Sequence, residues 1–431
     1  MTLIEELRWR GLIHDTIPGI EAFLEENQTA GYLGVDPTAD SIHIGNLVPV
    51  MMLVHLQRYG HRPVALVGGA TGRVGDPSGK DKERQLLSEE QVNHNAACVR
   101  KQLAHFLDFD APENGAQMVN NYDWFENFGF IDFLRDVGKH ITISYMLSKE
   151  SVKKRLASDS GLSYTEFAYQ LLQGYDFFHL YKHHNVRLQV GGSDQWGNIT
   201  TGTELIRRML GSEAKAYAAV CPLLTSSSGA KLGKTAGGEN VWLDPARTSP
   251  YQFFQYWLNL SDDDGEKCLK IFSLKSIAEL EDIISQHAED PGRRNMQRNL
   301  AEEITERVHG AEGLAEAQML TDFFFGRFKA KDDLNRLSRK QWEEAANSSE
   351  RKTISRAALE NGIGILDLFV ECGITQSKGE ARRAIEKDKS VKVNLEKIDQ
   401  SDYIIKGNDT FLGDFLFLQK GKRHKYIVEA I

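Results

Sequence analysis

The sequence predicts an α/β fold built on a parallel sheet, followed by a mainly helical region and a small α+β module, on three observations. Short β-prone runs alternate with longer helical patterns up to about residue 220. From Ser249-Pro250 onward the apolar residues fall almost entirely at helical spacing. The end of the chain differs in charge: residues 351–431 hold 15 Lys and Arg against 12 Asp and Glu, a balance of +3, which leaves −12 for the first 350 residues.

A chain of 431 residues with 41% hydrophobic and 26% charged residues has the composition of a globular protein. At about 100–200 residues per domain it divides into two to four domains, and three are expected. No apolar run approaches the roughly 18 residues that span a bilayer, and the opening Met1-Thr2-Leu3-Ile4-Glu5-Glu6 lacks a signal-peptide core, so a cytoplasmic protein without membrane contact is expected. Cys98, Cys221, Cys268 and Cys372 form no CxxC pair and have no histidine at zinc-ligand spacing. Reduced structural thiols, and no metal held by the protein itself, follow.

The first strand is Ala30-Gly31-Tyr32-Leu33-Gly34-Val35, and residues 47–59 after it carry a helical pattern. A second strand over residues 62–69 precedes a helix over 89–109, which would cover the sheet. A third, over residues 186–192, ends in Gly191-Gly192 before Ser193-Asp194-Gln195, and such strand ends are where open α/β folds bind ligands. Helices are expected over 251–258, 265–271, 277–288, 291–308 and 311–323. Residues 328–350 are charged and poor in aliphatics apart from one helical pattern at 339–346, and read as a linker. The last segment has a helical start, then Ser377-Lys378-Gly379-Glu380-Ala381-Arg382-Arg383 and a strand-like Val391-Lys392-Val393-Asn394. The expected division is therefore 1–224, 225–327, the linker 328–350, and 351–431.

Three clusters point to chemistry. His43-Ile44-Gly45-Asn46 lies where a strand, a polar turn and a helix start meet, and free amides with the helix dipole there hold phosphate. By itself this tetrapeptide reads first as an ordinary βα turn shaped by His43 and Gly45. Lys231-Leu232-Gly233-Lys234-Thr235 sits between Ser226-Ser227-Ser228-Gly229 and Gly237-Gly238, so two ammonium groups ride on a glycine-rich loop able to close over a polyphosphate. Alone, such a loop is a solvated turn. Tyr169, Gln173 and Asp176 fall at i, i+4 and i+7 on one helix face amid apolar residues. Burying them unpaired would be costly, so they are either a solvated stripe or the lining of a polar-ligand pocket. Residues 68–80 are glycine-rich but lack the GK[ST] ending of a phosphate-binding P-loop.

In this order, the first two clusters resemble the HIGH and KMSKS signatures of class I aminoacyl-tRNA synthetases, with Asn46 in place of the second histidine and Leu232, Gly233 and Thr235 as further departures. Asn46 keeps a hydrogen-bond donor and acceptor, and both lysines are intact. Tyr32-Leu33-Gly34, the stretch from Tyr169 to Asp176, and the run from Gly191 to Asn198 resemble the tyrosyl subfamily of bacterial type. The resemblance implies a Rossmann-like catalytic domain, a helical domain and a small S4-like RNA-binding domain. It further implies activation of L-tyrosine with ATP and magnesium, transfer to the 3' end of tRNA(Tyr), and a homodimer. Tyr32 and Asp176 would then bind the phenol, Tyr169, Gln173 and Asp76 the α-amino group, and Gln195 the carboxylate. Gly34, Asp36, Thr38, His43, Gly45, Asn46, Gly192, Asp194, Lys231, Lys234 and Thr235 would bind ATP. His43, Lys80, Arg84, Lys231 and Lys234 would stabilise charge on the phosphates. Trp196, Arg207, Arg208, Lys378, Arg382 and Arg383 would meet tRNA. A tryptophanyl enzyme shares both signatures, but Tyr32 with Asp176 suits a phenol better than an indole. A synthetase-derived RNA-binding protein would have no need of His43, Lys231 and Lys234.

Overall fold

Ala30–Val35 (β2) is the centre of the sheet, hydrogen-bonded in parallel to Arg62–Val67 (β3) on one side and Val186–Gly192 (β5) on the other. The computed structural model describes residues 1–76, 78, 87–157, 161–227, 229–234, 237–421 and 424–431. Gln117–Asn120 (β4) and Tyr217–Cys221 (β6) extend the parallel sheet outward. Asp15–Thr16 (β1) adds an antiparallel edge, giving the order β1-β6-β5-β2-β3-β4. A two-residue strand shows no periodicity, and this edge was not expected from the sequence. The chain leaves β2 toward β3 and returns on its other side as β5, so the reversal opens a crevice at the carboxyl ends of these two strands. The helix Ile44–Arg58 packs so closely that a Cβ on Gly31 would lie 2.7 Å from Leu56 Cδ2.

The described residues divide into two units, Met1–Thr248 with Tyr256–Val308, and Ser249–Gln255 with His309–Ile431. In the first, a buried arginine ties the N-terminal helix Leu3–Trp9 to the helix Asp262–Phe272. Arg10, 1% exposed, donates to the carbonyls of Lys270 at 3.0 Å, Ser273 at 2.8 Å and Lys275 at 2.8 Å, and through Nε to Glu6 at 2.7 Å. These carbonyls lie at and just beyond a helix C-terminus, where no intrahelical donor remains. Glu6 also accepts from Tyr59 Oη at 2.7 Å. Burial alone would raise its pKa, but the hydrogen bonds from Tyr59 and Arg10 outweigh it and the pKa falls.

In the second unit, Glu396–Lys397, Val391–Val393, Phe415–Lys420, His424–Ala430 and Glu350–Ile354 form a sheet in that spatial order. One face is covered by Ile365, Phe369, Ala381 and Ile385, the α+β arrangement expected for the end of the chain. The other carries Phe417 and Ile427, which share a core with Leu334, Leu337, Trp342, Ala345 and Ala346. Residues 328–350, read as a linker, thus contain the helices Lys331–Leu334 and Arg339–Asn347 and belong to this core. Their few apolar residues suffice because Trp342 lies between Phe411 and Phe415, with ring centroids 5.3 and 5.6 Å away. Asn295–Phe324 runs as one element interrupted at Gly310, whose φ of 72° is the break expected between residues 308 and 311.

Replacing Arg10 by alanine orphans the buried Ser273 carbonyl, two part-buried carbonyls and one side of Glu6, and should lower stability by about 3 kcal/mol. Urea denaturation of the two full-length proteins checks this. A difference within 0.5 kcal/mol, about the range of neutral surface changes, would reject it.

Candidate active site

Two segments nearly 190 positions apart in the chain meet through backbone hydrogen bonds. Ile44 N donates to Val241 O at 3.0 Å, Val241 N to Gly233 O at 2.8 Å, and Leu243 N to Ile42 O at 2.9 Å. Both glycines at this seam are needed. Gly233 has φ +89°, and a Cβ there would lie 3.2 Å from Gly45 N, while a Cβ on Gly45 would lie 3.0 Å from the His43 ring. His43 is the N-cap residue of Ile44–Arg58, and its ring meets Trp242 edge-on at 5.7 Å. The lysine loop is moored from beneath: Tyr256 Oη accepts from Gly233 N at 2.7 Å, Asp264 from Ser227 N at 2.8 Å, and Lys267 donates to Thr225 O at 2.8 Å. Lys231 and Lys234 bridge to Thr225 and Asn240 through their backbones, and both residues are exposed. Thr235 lies outside the described residues, as do Lys80 and Arg84.

The helix Tyr164–His183 supplies one wall of the crevice. Ser163 and Glu166 close a capping box at its start, and Arg155 grips the buried Glu166 through both oxygens at 2.7 Å. With its start held, the helix turns Tyr169, Gln173 and Asp176 to one face. Tyr169 Oη donates to Asp36 Oδ2 at 3.0 Å, and Thr71 Oγ1 donates to Asp36 Oδ1 at 2.8 Å. Asp176, 2% exposed, accepts from Asn121 Nδ2 at 3.1 Å and from Trp124 Nε1 at 2.9 Å. Burial, with nearby Asp36, raises its pKa to about 8 against the opposing effect of these two donors. Tyr32 is 1% exposed, and its ring lies 5.3 Å from Phe177. Burial and the Asp176 carboxyl push its pKa well up.

Three buried polar atoms here have no hydrogen-bond partner among the described residues: Tyr32 Oη, Gln173 Oε1 and Gln189 Oε1. Gln189 is 1% exposed and stands directly beside Tyr32 across the β5–β2 pairing, so both side chains leave the same sheet face. The sequence reading missed Gln189, Asn121 and Trp124. For Gln189 the signal was present, as an amide at a buried position between Leu188 and Val190.

A second polar group gathers Asp76, Gln195 and Asn198. Gln195 Nε2 donates to Asp76 Oδ2 at 2.7 Å, and Oδ1 accepts from Ser78 N at 3.0 Å and Asn198 Nδ2 at 3.3 Å. Asp194 folds back so that a Cβ on Gly192 would lie 2.6 Å from Oδ1. Gly34, Thr38 and Asn46 are exposed at the strand ends and the helix start. Trp196 opens the helix Trp196–Leu210, on which Arg207 and Arg208 both bind Glu204, at 2.8 and 2.5 Å. The Arg207 hydrogen bond, with that of Arg208, overcomes partial burial and brings the Glu204 pKa to about 2. In the C-terminal unit Lys378 pairs with Asp367, Arg383 lies 4.0 Å from Asp388, and Arg382 is exposed.

The family model of class I tRNA synthetases (W and Y) matches residues 24–326, and that of the tyrosine–tRNA ligase SYY-like C-terminal domain matches residues 347–428. The chain is 51% identical over 435 residues to the tyrosine–tRNA ligase of Bacteroides fragilis, covering 100% of both. It is 50% identical over 432 residues to that of Flavobacterium johnsoniae, covering 100% of this chain and 99% of the other. A C-terminally truncated mitochondrial tyrosyl-tRNA synthetase from Aspergillus nidulans aligns with a TM-score of 0.68 at 31% identity, over 75% of this chain and 94% of that one. A tryptophanyl-tRNA synthetase from Plasmodium falciparum, at 14% identity and a TM-score of 0.51 over 72% and 86%, shares the fold. With the signature seam and the crevice in place, these matches show that the chain belongs to the class I tRNA synthetases of the W and Y family.

Proposed function

We propose that the chain is a tyrosine–tRNA ligase whose specificity lies in the buried pocket of Tyr32 and Asp176. The observation that carries this reading is the buried Tyr32 hydroxyl, which has no partner among the described residues and interacts electrostatically with Asp176. A phenolic hydroxyl completes such a pair. Phenylalanine would leave the Tyr32 hydroxyl unpaired and bring no donor to Asp176, and an indole N–H offers a donor without an acceptor. Gln189, unpaired beside Tyr32, belongs to the same pocket. Gln173, Tyr169 and Asp76 receive the α-amino group and Gln195 faces the carboxylate, so the present Gln195–Asp76 bond opens when tyrosine enters.

The tyrosine carboxylate oxygen attacks the α-phosphorus of ATP, the bond to pyrophosphate breaks, and tyrosyl-adenylate forms. A ribose hydroxyl at the 3' end of tRNA(Tyr) then attacks the carbonyl and releases AMP. No covalent enzyme intermediate is needed. The helix N-terminus at Gly45, with His43, Thr38 and Asn46, holds the nucleotide, Gly34 and Asp36 lie beside it, and Gly192 and Asp194 border its ribose. Lys231, Lys234 and Thr235, with Lys80 and Arg84, meet the charge that grows on pyrophosphate, and magnesium arrives with ATP. Residues 1–224 would hold both small substrates and 225–327 the lysine loop and the anticodon-side helices. Residues 328–350 pack with 351–431, the S4-like module where Lys378, Arg382 and Arg383 grip phosphates. Trp196, Arg207 and Arg208 meet the acceptor end once Glu204 yields the arginines.

A homodimer in the cytoplasm fits this reading. Phe130, Ile131 and Ile143 are 63%, 70% and 61% exposed, and Leu134 and Leu147 are also uncovered, on the helices Phe130–Asp136 and Ile143–Leu147 of the first unit. So many large apolar side chains at a monomer surface call for a partner, and a second copy supplies the matching face.

ATP–pyrophosphate exchange with each amino acid in turn tests the whole reading. Tyrosine should drive it; exchange driven by tryptophan, or none at all, would overturn it. Lys231→Ala and Lys234→Ala should each slow single-turnover adenylate formation by about a hundredfold, with tyrosine affinity nearly unchanged. Unaltered rates in both would remove the lysines from the mechanism. The Asp176 carboxyl has a folded pKa near 8 against an ordinary 3.8, so between these values only the folded state keeps the proton. Wild-type stability should therefore fall relative to Asp176→Asn as pH rises from about 4 to about 8, and level off above. Parallel curves of urea midpoint against pH, without substrates, would refute it. Ile131→Glu together with Phe130→Asp should halve the mass in analytical ultracentrifugation; a mass unmoved at micromolar concentration would place the dimer contact elsewhere.

A further inference from the structure

We infer that His179 is a positioning residue for tyrosine selection: its ring holds the Trp124 indole so that the indole N–H stays aimed at Asp176. The inference rests on the reading of Asp176 and Tyr32 as the phenol site. His179 follows Asp176 by three residues on the helix Tyr164–His183, so both side chains leave the same side. The imidazole lies flat on the Trp124 indole, with centroids 4.3 Å apart and planes 16° from parallel, while the indole edge donates to Asp176 Oδ1 at 2.9 Å.

Trp124 needs this support. It sits on Tyr122–Phe125, a four-residue helix with no side-chain cap bond at its start, and a single isolated turn is weakly held by its own backbone. The residue is only partly buried. The neighbouring phenylalanines do not replace the platform, because Phe125 and Phe128 are engaged with Phe133 and Tyr175.

Flatness, not hydrogen bonding, is what His179 contributes. Among the described residues it makes no hydrogen bond or ion pair, and its other aromatic neighbours are the rings of Tyr175, His183 and His184. Burial first, then the charges of His183, His184 and Lys182, brings its pKa to about 4, so near neutral pH two uncharged rings stack. If the indole swings away, Asp176 keeps only the Asn121 donor and the carboxyl loses one of the two bonds that fix its direction. The loss falls on the substrate that bonds to Asp176. Phenylalanine makes no such bond.

The test is pyrophosphate exchange by the full-length protein with His179→Ala, measured for tyrosine and for phenylalanine. Aromatic stacking of about 1 kcal/mol translates to about a fivefold fall in kcat/KM for tyrosine, carried by KM. The phenylalanine value and KM for ATP should stay unchanged, and His179→Phe, which restores a flat ring, should recover the tyrosine value. An unchanged tyrosine value, an equal fall for phenylalanine, or no recovery with His179→Phe would overturn the inference. If His179→Ala does not fold, His179→Leu, bulky but not flat, makes the same comparison. Failure of the underlying reading is distinguishable, since the wild-type protein would then show no tyrosine-dependent exchange.

Discussion

The site depends on the seam in which Gly233 O accepts from Val241 N and Val241 O accepts from Ile44 N. It brings a loop that carries two lysines to the N-terminus of Ile44–Arg58 through main-chain bonds, reinforced by the His43–Trp242 ring contact and by Ser41 Oγ, which accepts from Asp244 N at 3.1 Å. Side chains at this seam are restricted: Gly233 is in the left-handed region and stands 3.2 Å, measured from its missing Cβ, from Gly45 N. The spelling Lys-Leu-Gly-Lys-Thr therefore has a structural reason at its centre. The glycine lets the loop lie against the helix start, and the lysines on either side stay exposed.

Around that seam the molecule separates two electrostatic tasks. The side proposed to meet the polyphosphate has the exposed Lys231 and Lys234 beside a helix N-terminus. The other end of the crevice is buried, and the Asp176 carboxyl there is raised to about 8 because burial outweighs its two donors. A pocket of that kind tolerates a neutral hydroxyl and penalises anything that leaves Tyr32 or Asp176 without a partner. On the proposed reading, specificity and catalysis are supplied by different residues on different elements, and a change in one leaves the other intact.

Rigidity in the N-terminal unit comes from buried charge as well as from apolar packing. Arg10 joins the opening helix to the carbonyls at the end of Asp262–Phe272, and Arg155 locks Glu166 at the start of the helix that bears Asp176. Arg10 uses Nε and both terminal nitrogens at once, a geometry that lysine cannot reproduce. In the C-terminal unit the corresponding role falls to aromatic stacking about Trp342. There a stretch with few aliphatic residues still joins the core, because one indole between two phenyl rings buries as much surface as several aliphatics.

What the sequence determined by itself was whatever depends on local pattern. The three strands beginning at Ala30, Arg62 and Val186, the face shared by Tyr169, Gln173 and Asp176, and the two signature segments were all legible from alternation, helical spacing and glycine placement. Three kinds of feature were not. The edge strand Asp15–Thr16 is too short for a period, and residues 328–350 looked like a linker because composition does not show which few side chains find a core. Asn121, Trp124 and Gln189 were missed because their importance lies in what stands opposite them: a carboxylate reached from a different strand and a short helix, and a phenol one strand away. Local propensity is a property of neighbours in sequence. Desolvation, and the pairing of polar groups that it makes obligatory, is decided only when distant segments close around the same volume.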